Sequence, residues 1–107
     1  MRVELLWWEG CPSHPETLAD LRRSLTDEGV EAEVEMVEVE SDEQARAERF
    51  PGSPTIRIDG DDIFPCPEGE PYSLTCRVYR LRDGRASPTP DPEDLLEAIR
   101  RIDEHRR

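Results

Sequence analysis

The sequence predicts an α/β domain, a mixed four-stranded sheet flanked by helices, and three observations carry that prediction. Val3-Glu4-Leu5-Leu6-Trp7-Trp8 is a short, nearly continuous apolar run, as expected of a strand buried on both faces. Segments with helical spacing alternate with segments of period two, the pattern of strands joined through helices. A two-strand hairpin signal, Thr55-Ile56-Arg57-Ile58 with Asp59-Gly60-Asp61 and Asp62-Ile63-Phe64, follows the second helix. The expected order is β-α-β-α-β-β-insert-α. It forms one domain over residues 1–107, with a Pro/Gly-rich insert at about 65–90.

Each element has a local reason. Gly10-Cys11-Pro12-Ser13-His14-Pro15 breaks the first strand. A helix from about Glu16 to Glu28 then places Leu18, Leu21 and Leu25 on one face. Because His14 precedes Pro15, extended geometry is favoured there, and Ser13 with Glu16 forms a capping box. From Val30, apolar Val30, Ala32, Val34 and Met36 alternate with glutamates, and the phase slips at Met36-Val37, where a bulge is expected. Ser41 and Gln44 form a second capping box, opening a short helix through Ala45, Ala47 and Phe50. Residues 65–73 read as loop, and Leu74–Leu81 fits a strand or a helical turn equally. The last helix has Asp91 as N-cap, Pro92 at its first position, a stripe of Leu95, Ile99 and Ile102, and arginines at its end.

Composition excludes several function classes. Fourteen basic residues, all arginine, stand against 26 acidic ones, a net charge of -12. A phosphate backbone or an anionic membrane surface calls for a basic face, so neither nucleic acid nor membrane is expected as a partner. No apolar run reaches the ~20 residues of a membrane span and no signal peptide is evident, so a cytoplasmic location is expected. Three cysteines are too few for a disulfide-rich scaffold. No phosphate-binding loop, serine triad or paired-carboxylate site is present, and no cofactor is implied. Oligomeric state, substrate and reductant are not legible.

A Cys-Pro motif ends the first strand, and Ser53-Pro54-Thr55 stands just before the third. In that order of elements, the chain resembles the thioredoxin-like superfamily over residues 3–64 and the last helix. The resemblance implies that Cys11 is the attacking thiol and that Pro54 is a cis-proline facing it. The motif departs at its fourth position: Cys11-Pro12-Ser13-His14 ends in histidine, where a second cysteine or a serine is usual. The N-H-free Pro54 leaves the Ser53 backbone open to an incoming extended peptide.

The chemistry also follows from the residues. A thiolate needs positive potential, which a helix start and an imidazolium at His14 supply, while Glu9 and the net charge oppose it. As a small core residue Cys11 would be out of place in such a Pro/Gly/His-rich turn, whereas His14 fits a cap or a solvated loop equally well. Trp7 and Trp8 are expected on opposite faces of the central strand. The returning hairpin strand brings Phe64-Pro65-Cys66 back toward Cys11, and Cys76 lies within reach if the loop folds back. Three functions fit. The first is a thiol-disulfide oxidoreductase in which Cys11 attacks a protein or small-molecule disulfide and Cys66, Cys76 or a small thiol resolves it. The second is a metal-binding Cys3His set of Cys11, His14, Cys66 and Cys76. The third is a non-catalytic binding module. Cys66 is the expected partner of Cys11, with Cys76 its competitor.

Overall fold

In a computed structural model, which describes residues 1–66 and 71–106, β1 (Val3–Trp7) lies inside a four-stranded sheet. Its neighbours are β2 (Val34–Glu38) on one side and β3 (Thr55–Ile58) on the other, and β4 (Asp61–Asp62) forms the far edge. β1 runs parallel to β2 and antiparallel to β3, and β3 turns back on β4. The hairpin turn places Asp59 and Gly60 at φ 53° and 89°, the left-handed pair that a two-residue turn requires. β4 is only two residues long, shorter than the expected Asp62–Phe64.

Helix α1 (His14–Asp27) connects the two parallel strands, and α3 (Pro92–Arg106) packs on the same face. Their shared core joins Leu21 and Leu25 of α1 and Leu95 and Ile99 of α3 to Val3, Leu5, Ile56 and Ile58 of the sheet. The opposite face carries α2 (Asp42–Ala47), where Leu6, Val39, Ala45 and Phe50 form a second cluster. β2 contributes to both, since Val34 packs on the first cluster and Val37 on the second. This partial cover on both faces accounts for the phase slip at Met36-Val37. Val34 to Glu38 pair one-to-one with Val3 to Trp7, with no bulge.

The short helix is capped as its sequence predicts: Ser41 Oγ accepts from the Gln44 N–H at 3.0 Å, and Gln44 Oε1 accepts from the Glu40 N–H at 3.0 Å. Asp91 Oδ1 caps α3 by accepting from the Glu93 N–H at 2.9 Å. α1 starts at His14 rather than Glu16. Pro15 falls in the first helical turn, where a missing N–H costs nothing. Glu28 at the end of α1 holds the Arg100 guanidinium of α3 through two contacts of 3.0 and 3.1 Å.

The ambiguous segment 74–81 is extended. Cys76 forms a parallel bridge with Ser53, and Tyr79–Arg80 (β5) pairs with Ala86–Ser87 (β6) as a small separate hairpin. Residues 67–70 of the expected loop lie outside the described residues. Among the described residues no helix is long and apolar enough to cross a membrane.

Candidate functional site

β1 ends at Trp7, and the chain turns so that the Cys11 N–H donates to the Trp8 carbonyl at 3.0 Å. Cys11 therefore lies in the turn before α1, only 1% exposed. Antiparallel pairing with β1 starts β3 at this same end of the sheet, which brings Ser53 and Pro54 to the thiol. The Ser53-Pro54 bond is cis. Ser53 binds both sides of the turn: its Oγ accepts from the Trp8 N–H at 3.1 Å, and its carbonyl accepts from the Cys11 thiol at 3.4 Å.

Ser13 is the α1 N-cap residue, but its hydroxyl makes no capping bond. It lies 3.2 Å from Cys11 Sγ instead, so the expected capping box gives way to a contact with the thiol. His14 does not reach the sulfur through its ring nitrogen. Its Nδ1 lies 3.1 Å from the Cys11 carbonyl, and its ring stacks on Trp7 with centroids 4.3 Å apart. This geometry gives His14 a positioning role: it fixes the Cys11 backbone and covers the end of β1.

The sulfur that faces Cys11 is that of Cys76. The Ser53 N–H donates to the Thr75 carbonyl and the Arg77 N–H donates to the Ser53 carbonyl, both at 2.8 Å. This bridge sets Cys76 opposite Ser53, the residue whose carbonyl accepts from the Cys11 thiol. The Ser53 backbone is thus already paired, contrary to the expectation that it stands open to an incoming peptide. Burial raises the Cys11 thiol, but hydrogen bonds from Cys76, from the Ser13 side chain and backbone and from Ser53 outweigh it, and the thiol lies below its ordinary value. Cys76 moves the other way, pushed up to about 11, because its proton is held by Cys11 and its own desolvation adds to this.

Residues 71–81 form a strap across this end of the sheet, anchored beside Cys76. Arg77 is buried. Its Nη1 donates to Asp62 Oδ2 at 2.9 Å and to Thr55 Oγ1 at 3.3 Å, and its Nη2 donates to the Phe64 carbonyl. The guanidinium also lies 4.7 Å from the centroid of the Tyr79 ring, and the Tyr79 hydroxyl donates to the Pro54 carbonyl. Burial keeps Asp62 above the ordinary carboxylate range despite Arg77, and it raises the Tyr79 phenol. Gly52 permits the close approach. It adopts φ 150°, and a Cβ there would lie 3.1 Å from the Arg77 nitrogen.

Cys66 lies beyond the sheet edge, on the same cleft as Cys76. The two line a cleft of about 400 Å³ with Pro51, Pro71, Thr75 and Val78 among its walls. All three cysteines are thiols: Cys11 is buried, Cys66 half-buried and Cys76 exposed. Among the described residues, no group of three or more His, Cys, Asp or Glu side chains is placed to hold a metal ion, so Cys11, His14, Cys66 and Cys76 do not assemble the Cys3His set. Sequence reasoning missed Ser13 as a thiol partner and Arg77 as the anchor of Cys76. Comparisons with models of known families, with curated proteins and with solved structures gave no match.

Proposed function

We propose that this chain is a thiol-disulfide redox protein built on a thioredoxin-like plan, with Cys11 and Cys76 as its redox couple. The observation that carries the reading is the bridge at Ser53. One residue's backbone holds Cys76 opposite it and accepts from the Cys11 thiol, so two sulfurs converge on a single peptide unit. The cis peptide beside the thiol, the parallel β1-α1-β2 unit and the antiparallel third strand support the plan. The lowered Cys11 thiol supports its role as the more readily ionised sulfur. Cys76 thereby takes the place of second sulfur that sequence geometry gives to Cys66. His14, which cannot form a disulfide, holds the backbone of Cys11. Pro54 closes the site from the β3 side.

The test is disulfide mapping of the whole chain after mild oxidation, followed by equilibration against glutathione buffers. A Cys11-Cys76 crosslink that opens and closes reversibly is the expected result. An exclusive Cys66-Cys76 bond, or three thiols that stay reduced, overturns the reading. The geometry requires Cα atoms within about 7 Å for the bond to close without backbone movement.

A further inference from the structure

Exposure is divided unequally between the two sulfurs. Cys11 is 1% exposed, enclosed by Ser13, Ser53 and the strap, while Cys76 is open to solvent on the wall of the cleft. An outside sulfur must line up with the S–S bond it breaks, so a Cys11-Cys76 disulfide is approached from the side of the exposed residue, Cys76. Main-chain pairing with an extended peptide needs unsatisfied N–H and C=O groups. At Ser53 both groups are taken by Thr75 and Arg77. Cys76 also lines a cleft among the described residues, whose volume of about 400 Å³ falls within the range of small-ligand sites.

We propose, resting on the redox reading above, that the mixed disulfide of this protein forms on Cys76 and that its exchange partner is a low-molecular-weight thiol entering through the cleft that Cys76 shares with Cys66. Starting from the Cys11-Cys76 disulfide, a thiolate RS⁻ attacks Cys76 Sγ. An R–S–Sγ bond to Cys76 forms, the Cys11–Cys76 bond breaks, and its electron pair leaves on Cys11 as a thiolate. A second RS⁻ then attacks the sulfur of R, forming RSSR and expelling Cys76 as a thiolate that takes up a proton. Two small thiols are oxidised to one disulfide while the protein disulfide is reduced to two sulfhydryl groups, one ionised. Run backward with a small disulfide RSSR as oxidant, the Cys76 thiolate attacks one sulfur and expels RS⁻, which takes up the proton that Cys76 gave up. The Cys11 thiolate then attacks Cys76 Sγ, closing the intramolecular bond and expelling the second RS⁻.

Leaving-group chemistry favours the same sulfur, because exchange is faster when the departing thiol is the more acidic one. Attack at Cys76 expels Cys11, the thiol that its hydrogen bonds hold below its ordinary value.

Glutathione is the probe. The oxidised wild-type chain is mixed with glutathione, acid-quenched, and the adduct located by fragment mass spectrometry, which separates Cys66 from Cys76. In parallel, reduced Cys11→Ser is treated with glutathione disulfide, its near-ultraviolet circular dichroism checked against wild type. The expected result is glutathione on Cys76, exceeding Cys11 by on the order of tenfold in the quenched wild type, and a lasting Cys76 adduct in Cys11→Ser. An adduct on Cys11 or on Cys66, or equal labelling, overturns the assignment to Cys76 while leaving a mapped Cys11-Cys76 couple intact. A couple that forms without any glutathione adduct overturns the small-thiol assignment. If Cys11→Ser does not fold, the quenched wild type decides alone. Absence of the Cys11-Cys76 bond at the start sinks the redox reading itself, a separate and prior result.

Discussion

Replacing Arg77 with methionine keeps the unbranched stem that packs under the strap and deletes the guanidinium. The structure shows what is lost. Asp62 Oδ2 loses a charged donor at 2.9 Å, Thr55 Oγ1 loses one at 3.3 Å, the Phe64 carbonyl loses its partner, and the Tyr79 ring loses a cation 4.7 Å from its centroid. Breaking a fully buried ion pair from one side costs ~3–5 kcal/mol. The Asp62 side chain retains 20% exposure and can rehydrate, so the lower end applies. The expected loss is about 3 kcal/mol at neutral pH. With a urea slope of roughly 1.5 kcal/mol/M for a chain of this size, the unfolding midpoint falls by about 2 M.

The pH dependence of that loss tests its cause. Asp62 is raised in the folded state by burial, and removing Arg77 raises it further. A carboxyl with a raised folded pKa loses relative stability as pH climbs from the unfolded value, ~3.9, through the folded one. The variant's deficit should therefore be smallest in acid, where Asp62 is neutral in both states, and largest at pH 7. Paired urea titrations of wild type and Arg77→Met at several pH values measure it. A midpoint shift under about 0.5 M at neutral pH, or a deficit that does not shrink in acid, refutes the reasoning. Release of the strap should also speed alkylation of Cys11, by on the order of tenfold, as the enclosing wall opens.

Other outcomes follow from the same contacts. Iodoacetamide alkylation of Cys11 should show a pH midpoint below the ~8.5 of free cysteine, and Ser13→Ala or Cys76→Ala should raise it by removing a hydrogen-bonding side chain. The stability that this ionisation contributes is present above about pH 8.5 and lost as pH falls through the lowered folded value, which thermal unfolding across that window reads directly. Gly52→Ala combines an unfavourable φ with a Cβ 3.1 Å from the Arg77 backbone. It should cost ~1–3 kcal/mol in urea titrations and loosen the strap, seen as faster Cys11 alkylation. Closing the chain between residues 11 and 76 removes unfolded-state entropy worth roughly 4 kcal/mol, so the oxidised form should unfold at higher urea than the reduced one.

Much of the frame was legible because its signals are local. The capping box at Ser41, the turn at Asp59-Gly60 and the helical stripes act over a few residues, and they recur in the structure, whereas the box expected at Ser13 does not. The Cys11 turn and the cis peptide at Pro54 followed from motif and order of elements. The misreadings share a different origin. The slip at Met36-Val37 looks like a bulge only if one face of β2 packs, whereas Val34 and Val37 are each partly covered, on opposite faces. Residues 74–81 carry no periodicity to read. Val78 is 71% exposed, and what fixes the segment is one bridge to Ser53 and one buried arginine, partners at least 13 residues away in sequence. Cys66 was favoured over Cys76 on the premise that the fourth strand runs the length of the third. β4 stops after two residues, and the chain leaves the sheet before Cys66.

The strap also reconciles two properties of Cys11 that conflict in isolation. A buried thiol in an apolar pocket ionises reluctantly, and a reactive thiol needs both charge stabilisation and access. Here the groups that exclude water also supply the donors: Ser13 in place of its cap, and Cys76 on the strap itself. Access is then transferred from Cys11 to Cys76, one bond away in the oxidised form. On the proposed redox reading, the thiolate is stabilised in the covered position and the exchange takes place in the open one. That separation depends on Arg77 and Tyr79 holding the strap to Asp62 and Pro54, which is why a substitution remote from either sulfur should change the reactivity of Cys11.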